Sequence, residues 1–385
     1  MSAEPEGKSR HSGRSAIEEL RVQVVDPPAY TPPYDRAVCA ALAAAGADVE
    51  LVTSRFGYGP VPHASGYKVT ELFYRSAAGR SPTSRTTRTL KLAGHVPGML
   101  RFRRHAAEAD LVHFQWLTLP AVDARLLPRK PLVWTVHDPP PTGRTRSGWV
   151  AAARQMDALV AHSRSGADAI AERLEVAPER IHVIPHGPFD HLTRIADERP
   201  LPEELANTEG PVVLCFGLMR PYKGIDILLD AFREVDAAEL WIVGRPMMDL
   251  APLRELAARC RRPVRWIPRF ITDPEIPALF RRADLVVLPY READQSGVLY
   301  TALAFGNAVV ATSVGGFPEV AAHGEALRLV PPGDAAALAD ALTELLADDA
   351  ERRRLSAAAR AAAEGPYSWA GIAEKTLALY REVLA

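Results

Sequence analysis

Cysteine is scarce in this chain: Cys39, Cys215 and Cys260 lie far apart among 385 residues. No two have metal-ligand spacing, and an odd number argues against a disulfide framework. Cys215 sits inside the apolar run 211–216, where a thiol packs as a small hydrophobe. Aromatic residues make up only 7% of the chain and do not interleave with basic ones, which removes the usual platform for stacked bases. Net charge is also missing: 46 basic side chains meet 47 acidic ones, leaving -1. That balance gives no electrostatic reason to expect nucleic acid as a partner. No apolar run approaches the ~20 residues that span a bilayer, and the first twenty residues lack the apolar stretch of a signal peptide. Residues 1–19 read as a disordered tail, and the cysteine usage fits a reducing cytoplasm.

What is present is a regular alternation. The length suits two domains, and a hydrophobic fraction of 48% is ample for their cores. Short apolar runs at 22–25, 49–52, 111–114, 132–136, 158–161 and 181–184 read as strands, with helical stretches such as 38–45 between them. The pattern lapses near 191–210, which reads as a linker. It resumes with strands at 212–216, 240–243, 264–267, 285–288, 308–311 and 327–330 and helices at 225–232, 336–346 and 370–384. Such alternation predicts an α/β fold of two Rossmann-like, doubly wound domains, 20–190 and 211–365, facing across a cleft and followed by a closing helix at 366–385. Ligands of such sheets bind beyond the carboxyl ends of the strands. That rule selects Asp26, Gln115, His137, His186, Gly217, Gly244, Tyr290 and Gly315.

Two loops carry the chemistry. The first runs Phe216-Gly-Leu-Met-Arg-Pro-Tyr-Lys-Gly-Ile-Asp226. It sets Arg220 and Lys223 between a strand and a helix. Two cations so placed can grip a diphosphate, each charge-assisted contact contributing about 1.5–3 kcal/mol; the alternative is a surface loop of solvated charges. The second loop holds Glu292, Asp294, Gln295, Ser296 and Gly297. Ser296 and Gly297 fall at the start of a small apolar helix, where open amides and the helix dipole favour an anion. Ser296 also suits a plain N-cap. His137 follows a strand and precedes Asp138 and three prolines. It reads as a substrate-facing histidine or as one satisfied by backbone at a strand end. Arg85, Arg88, Lys91, Arg101, Arg103 and Arg104 interleave with apolar residues. They form either a basic amphipathic helix for an anionic membrane surface or a solvated face.

Together these stretches resemble family-4 glycosyltransferases of the GT-B fold. That family has a glycine–basic loop ending in Lys-Gly, then a Glu-x7-Glu segment running into Gly-x-Pro-Val-Val-Ala-Thr-x-Val-Gly-Gly-x-Pro-Glu. This chain has Gly306-Asn-Ala-Val-Val-Ala-Thr-Ser-Val-Gly-Gly-Phe-Pro-Glu319. Val136-His-Asp138, Ala161-His-Ser163 and Val183-Ile-Pro-His-Gly187 are similar to pieces of its amino half, and Tyr367-Ser-Trp-Ala370 to its closing segment. The resemblance implies an amino domain for the acceptor, a carboxyl domain for the donor, and a last helix that crosses back to the first domain. It implies retaining transfer of a hexose from a nucleotide-diphosphate sugar to a glycan, lipid-linked or small-molecule acceptor, with no cofactor and no metal. His137, Arg220, Lys223 and Asp294 are then the expected catalytic residues. Gly217, Phe270, Gln295, Ser296, Gly297, Val298 and Thr301 join Arg220 and Lys223 as donor contacts. Tyr34, Asp35, Gln115 and His186 are expected to line the substrate.

The chain departs from the family at telling places. Counting back from Gly306, the two family glutamates fall on Ala293 and Thr301. Glu292, Asp294 or Gln295 is left to make the sugar contact, with Asp294 and Gln295 nearer the helix start. The Thr301 hydroxyl would hold the ribose more weakly than a carboxylate. Leu218 replaces the family's arginine after the loop glycine, so Arg220 supplies that charge. Pro32-Pro-Tyr-Asp35 replaces the Gly-Gly loop of the first domain. The absent glutamates keep a non-catalytic GT-B subunit in view as a rival; a second rival, a nucleotide-sugar epimerase, would need the very carboxylates that are missing. The basic segment 85–104 is the expected point of contact with the inner face of a membrane.

Overall fold

The computed structural model describes residues 20–57, 59, 61, 63–77, 84–138 and 140–385; the tail expected at 1–19 lies outside them. The first sheet contains β1 (Arg21–Asp26), β2 (Asp48–Ser54), β3 (Lys68–Phe73), β4 (Leu111–Phe114), β5 (Leu132–Thr135), β6 (Ala158–Ala161) and β7 (Ile181–Val183). Its order is β3-β2-β1-β4-β5-β6-β7, every pair parallel. The second contains β8 (Val212–Phe216), β9 (Glu239–Val243), β10 (Val264–Ile267), β11 (Leu285–Leu288), β12 (Ala308–Thr312) and β13 (Arg328–Val330). Its order is β10-β9-β8-β11-β12-β13, again all parallel. Each sheet thus reverses strand order once, between β1 and β4 and between β8 and β11. Those switch points open the crevices in which doubly wound sheets bind ligands.

Parallel strands covered on both faces are predominantly apolar on both faces. β4, β5, β6 and β11 are buried throughout; β6 and β11 read as unbroken apolar runs, and β4 and β5 are interrupted only by His113 and Thr135. β3 was not foreseen. It is an edge strand whose first residues are exposed or half-buried, so Lys68-Val-Thr-Glu-Leu-Phe73 carries no such run. Pro32-Pro-Tyr-Asp35, which replaces a glycine loop, is the first turn of the helix Pro32–Ala44. Proline suits that turn because its missing N–H would have no helical acceptor.

The residues expected to form a linker pack on the second domain. Leu192 and Leu205 are buried in its core, and the Arg199 amide donates to the Pro274 carbonyl at 2.8 Å. The last helix, Trp369–Leu384, lies on the first domain. Ile372, Ala373, Leu377 and Tyr380 share a core with Val38 and Leu42. The Tyr380 hydroxyl meets His113 Nδ1 at 2.6 Å, and Trp369 Nε1 donates to the Pro188 carbonyl at 2.7 Å.

Candidate active site

On the second domain, the basic loop folds into a single 3-10 turn, Pro221–Lys223, closed by Gly224. Gly224 has φ 63, and a Cβ there would stand 2.0 Å from the Pro289 carbonyl oxygen. Only glycine meets both conditions, so Gly224 is a backbone requirement of this turn. Lys223 is turned inward and only 7% exposed. Its Nζ lies 4.9 Å from the centroid of the Tyr290 ring. Among the described residues it has no carboxylate partner. Burial alone would lower its pKa, but Tyr290, Tyr222 and Cys215 together outweigh that and hold the ammonium above its ordinary value. The loop thus presents a protonated cation inside the fold with no counter-charge.

Lys223 Nζ and Val298 Cγ2 both approach Gly217, within 3.0 and 3.1 Å of where a Cβ would stand. The basic loop therefore abuts the helix Gly297–Phe305. The Ser296 side chain does not cap that helix; its hydroxyl meets the Tyr290 hydroxyl at 3.1 Å. The plain N-cap expected of Ser296 is therefore not formed. Thr301 is buried, and its hydroxyl donates to the Gly297 carbonyl at 2.8 Å, so only oxygen lone pairs remain for a ligand. Phe270 stands apart from this group, 46% exposed in the loop after β10.

On the first domain, three histidines pack around Tyr34. Its ring meets His137 at 4.9 Å, His162 at 5.5 Å and His186 at 4.7 Å between centroids, while His113 lies behind, bonded to Thr135 at 2.7 Å. Burial pushes His113 down to about 3, His162 to about 4 and His186 to about 3. It holds His137 well below its ordinary value too. The cluster is neutral, and its hydrogen bonds then fix the tautomers. The Ile184 carbonyl only accepts, so His162 Nδ1 donates to it at 3.0 Å. His162 Nε2 must then accept from His137 Nδ1 at 3.0 Å. That leaves a lone pair on His137 Nε2 facing the Gln115 amide at 3.0 Å. A half-turn of this amide brings its nitrogen, which otherwise lacks a partner, into position to donate.

This accounting revises several expectations. His137 lines the cleft, but both its ring nitrogens are engaged, so it offers no free base. Tyr34, Gln115 and His186 are buried and form a supporting layer rather than a lining. His186 donates toward the Gly187 carbonyl at 2.7 Å and stacks on Tyr300 of the second domain at 4.6 Å. Asp35 is buried beside Asp26; desolvation and the neighbouring carboxyl raise its pKa far above the usual range, so the two share a proton.

Between the domains lies a cavity of about 610 Å³ lined by His137, Asp138, Arg220, Glu292, Asp294 and Gln295, among others. Asp294 Oδ1 accepts from the Ser163 hydroxyl of the first domain at 2.6 Å, while Ser163 accepts from the Gly166 amide at 2.9 Å. Burial raises the Asp294 carboxyl above its ordinary value, and the Ser163 bond offsets part of that. Gln295 Oε1 accepts from the Tyr300 hydroxyl at 2.6 Å. Glu319 accepts from the Arg164 amide at 2.8 Å and from Ser165 at 3.3 Å. Two carboxylates of the second domain therefore meet the N-terminus of one first-domain helix, Arg164–Leu174. Gly316 permits the approach, since a Cβ there would fall 2.8 Å from Ser163 Cβ. Ser163 and Asp138 were quoted in sequence motifs without a role. Serine before a helix was a legible N-cap signal, but its carboxylate partner lies 131 residues away.

Comparison with known proteins agrees with this arrangement. Residues 36–188 match the model described as Glycosyltransferase Family 4, and residues 210–348 that described as Glycosyl transferases group 1. The D-inositol 3-phosphate glycosyltransferase of Corynebacterium efficiens is 30% identical over 325 residues, 76% of each chain. The enzyme of that name from Xylanimonas cellulosilytica is 29% identical over 387 residues, 89% of each. Anabaena HepE, solved with UDP-glucose, superposes with a TM-score of 0.70 over 94% of this chain and all of its own, at 21% identity. That likeness bears on the fold alone. Both halves match their respective family models in order, and a 30%-identical relative is covered over three quarters of its length; the chain belongs to the family-4 glycosyltransferases of the GT-B fold.

Proposed function

We propose that this glycosyltransferase moves a hexose from a nucleoside-diphosphate donor to an acceptor hydroxyl, with retention at the anomeric carbon and without a metal. The observation that carries the reading is Lys223, a buried ammonium with no carboxylate partner among the described residues, set against the start of the helix Gly297–Phe305, which no side chain caps. A diphosphate supplies the missing charge. Arg220 on the cavity wall adds a second cation, and Phe270 offers an exposed ring to the base.

As the C1–O bond to the β-phosphate breaks, negative charge grows on the leaving oxygen and positive charge on the sugar ring. Lys223, Arg220 and the helix amides stabilise the first; preorganised donors of this kind contribute about 2.7–4 kcal/mol each. Asp294 faces the second, in the role left open by the missing glutamates. The acceptor oxygen bonds to C1 on the face the phosphate leaves, and its proton passes to that phosphate oxygen. This route suits a site whose histidines are neutral and engaged. The products are the glycoside and the nucleoside diphosphate.

Thermal unfolding with a panel of nucleotide sugars tests the donor, because a ligand of the native state raises the midpoint by mass action. A selective shift, followed by transfer with unchanged anomeric configuration, is the expected result. No shift with any donor in folded protein would sink the proposal.

The helix Arg85–His105 supports acceptors held at a membrane. Met99 and Phe102, expected on its apolar face, are buried in the core, whereas Leu92, Val96 and Leu100 are 64%, 41% and 42% exposed. The exposed arginines 85, 88, 101 and 104 accompany them, the composition that suits an anionic surface. Flotation with anionic vesicles, lost in Leu92→Glu, is expected; equal flotation of the variant would refute the contact. No helix among the described residues is long and apolar enough to cross a membrane.

A further inference from the structure

Among the described residues only two large aromatic side chains are exposed, Tyr30 and Phe270. One follows β1 of the first sheet and the other β10 of the second. Both therefore stand at the carboxyl edges, where doubly wound sheets bind ligands. Phe270 belongs to the donor reading above. Tyr30 has no part in it, although it is 61% exposed.

The Tyr30 ring is held in place rather than left to swing. Its turn begins with two prolines and passes through Ala29, whose φ of 54 is left-handed. Buried Asp26 accepts from the Tyr30 amide at 2.7 Å, which fixes that conformation. The ring meets Trp116 edge-on at 5.3 Å between centroids. Trp116 in turn donates from Nε1 to the Thr31 hydroxyl at 2.8 Å and stacks on cavity-lining His137 at 5.0 Å and 16°. A continuous aromatic wall thus runs from the cavity outward along the first domain. A non-glycine residue in a left-handed turn is strained and persists where the surroundings enforce it. Here the result is an aromatic ring presented to solvent next to the transfer site.

We infer that Tyr30 and Trp116 form the acceptor subsite and that its ligand is a sugar ring. A pyranose has an apolar face of C–H bonds with partial positive charge, complementary to the negative face of an aromatic ring. Stacking there holds the acceptor ring by its face and leaves its edge hydroxyls to point along the wall toward the cavity. The inference rests on the transferase reading and adds the class of acceptor.

Saturation-transfer NMR on the full chain tests it, with methyl α-glucopyranoside, methyl α-mannopyranoside and maltose as probes. The wild type is expected to pass saturation to the C–H face of at least one probe. Tyr30→Ala should bind that probe roughly threefold to tenfold more weakly, and Tyr30→Trp should restore it. No transfer from the wild type to any probe overturns the inference, as does equal transfer from wild type and Tyr30→Ala. The nucleotide-sugar thermal shift is measured on the same samples. A donor shift that survives in Tyr30→Ala separates failure of the platform from failure of the donor reading.

Discussion

Replacing Lys223 by methionine removes one charge while nearly conserving the volume of a side chain that is 7% exposed. Two effects of opposite sign follow. Without ligand, the wild type buries an ammonium with no carboxylate partner among the described residues, held charged by Tyr290, Tyr222 and Cys215. A thioether in that place removes a desolvation penalty, so the unliganded variant should melt at the wild-type temperature or above it. With ligand, a charge-assisted contact is lost, about 1.5–3 kcal/mol. Suppose the wild type is studied at one hundred times its dissociation constant, where ligand stabilises it by about 2.7 kcal/mol. A loss of about 2 kcal/mol in affinity weakens binding roughly thirtyfold, and stabilisation at the same concentration falls to about 0.9 kcal/mol. Turnover should fall about 10²–10³-fold, because the charge on the leaving phosphate grows toward the transition state. The assays are thermal unfolding with and without the selected nucleotide sugar, and release of nucleoside diphosphate. Turnover within tenfold of wild type, with ligand stabilisation intact, would refute the clamp. An unliganded midpoint several degrees lower would show that Lys223 serves packing instead.

Ser163→Ala removes the hydrogen bond that lowers the Asp294 carboxyl. The Asp294 pKa should rise further, and the acid limb of the rate profile should move to higher pH. Ser163→Thr should restore it, whereas a purely structural loss would depress the rate equally at every pH. The buried neutral histidines make stability depend on acid. His113 is held at about 3 in the fold by burial and by His162, against about 6.5 when unfolded. Its contribution is complete above the unfolded value and is lost as pH falls through the window toward the folded one. His113→Gln should therefore flatten the stability–pH slope in that window by about 1.4 kcal/mol per pH unit. The raised Asp26 and Asp35 act in the opposite sense, but they are common to both proteins and cancel in the comparison. An unchanged slope would mean that His113 is protonated in the fold.

Much of this protein was legible from residue order alone, because its architecture is written in local signals. Strands buried on both faces are predominantly apolar, so β4, β5, β6 and β11 announced themselves. The edge strand β3 did not, since half-buried residues carry no continuous pattern. Gly224 was legible because the need for a left-handed turn acts within a few residues. Roles that depend on distant partners were not. Sequence placed Gln115 and His186 at strand ends and Tyr34 in the segment that replaces a glycine loop, but only packing determined that they lie behind His137. Only the hydrogen-bond chain from Ile184 to Gln115 showed that both nitrogens of His137 are engaged. The 2.6 Å bond between Ser163 and Asp294 joins residues 131 positions apart in different domains. Sequence determined most of this protein's elements and the turn that closes its basic loop, where each cause lies within one turn of its effect. Tertiary structure decided which groups are buried, neutral or opposed across the cleft, because burial and charge pairing depend on everything packed around a group and not on its neighbours in the chain.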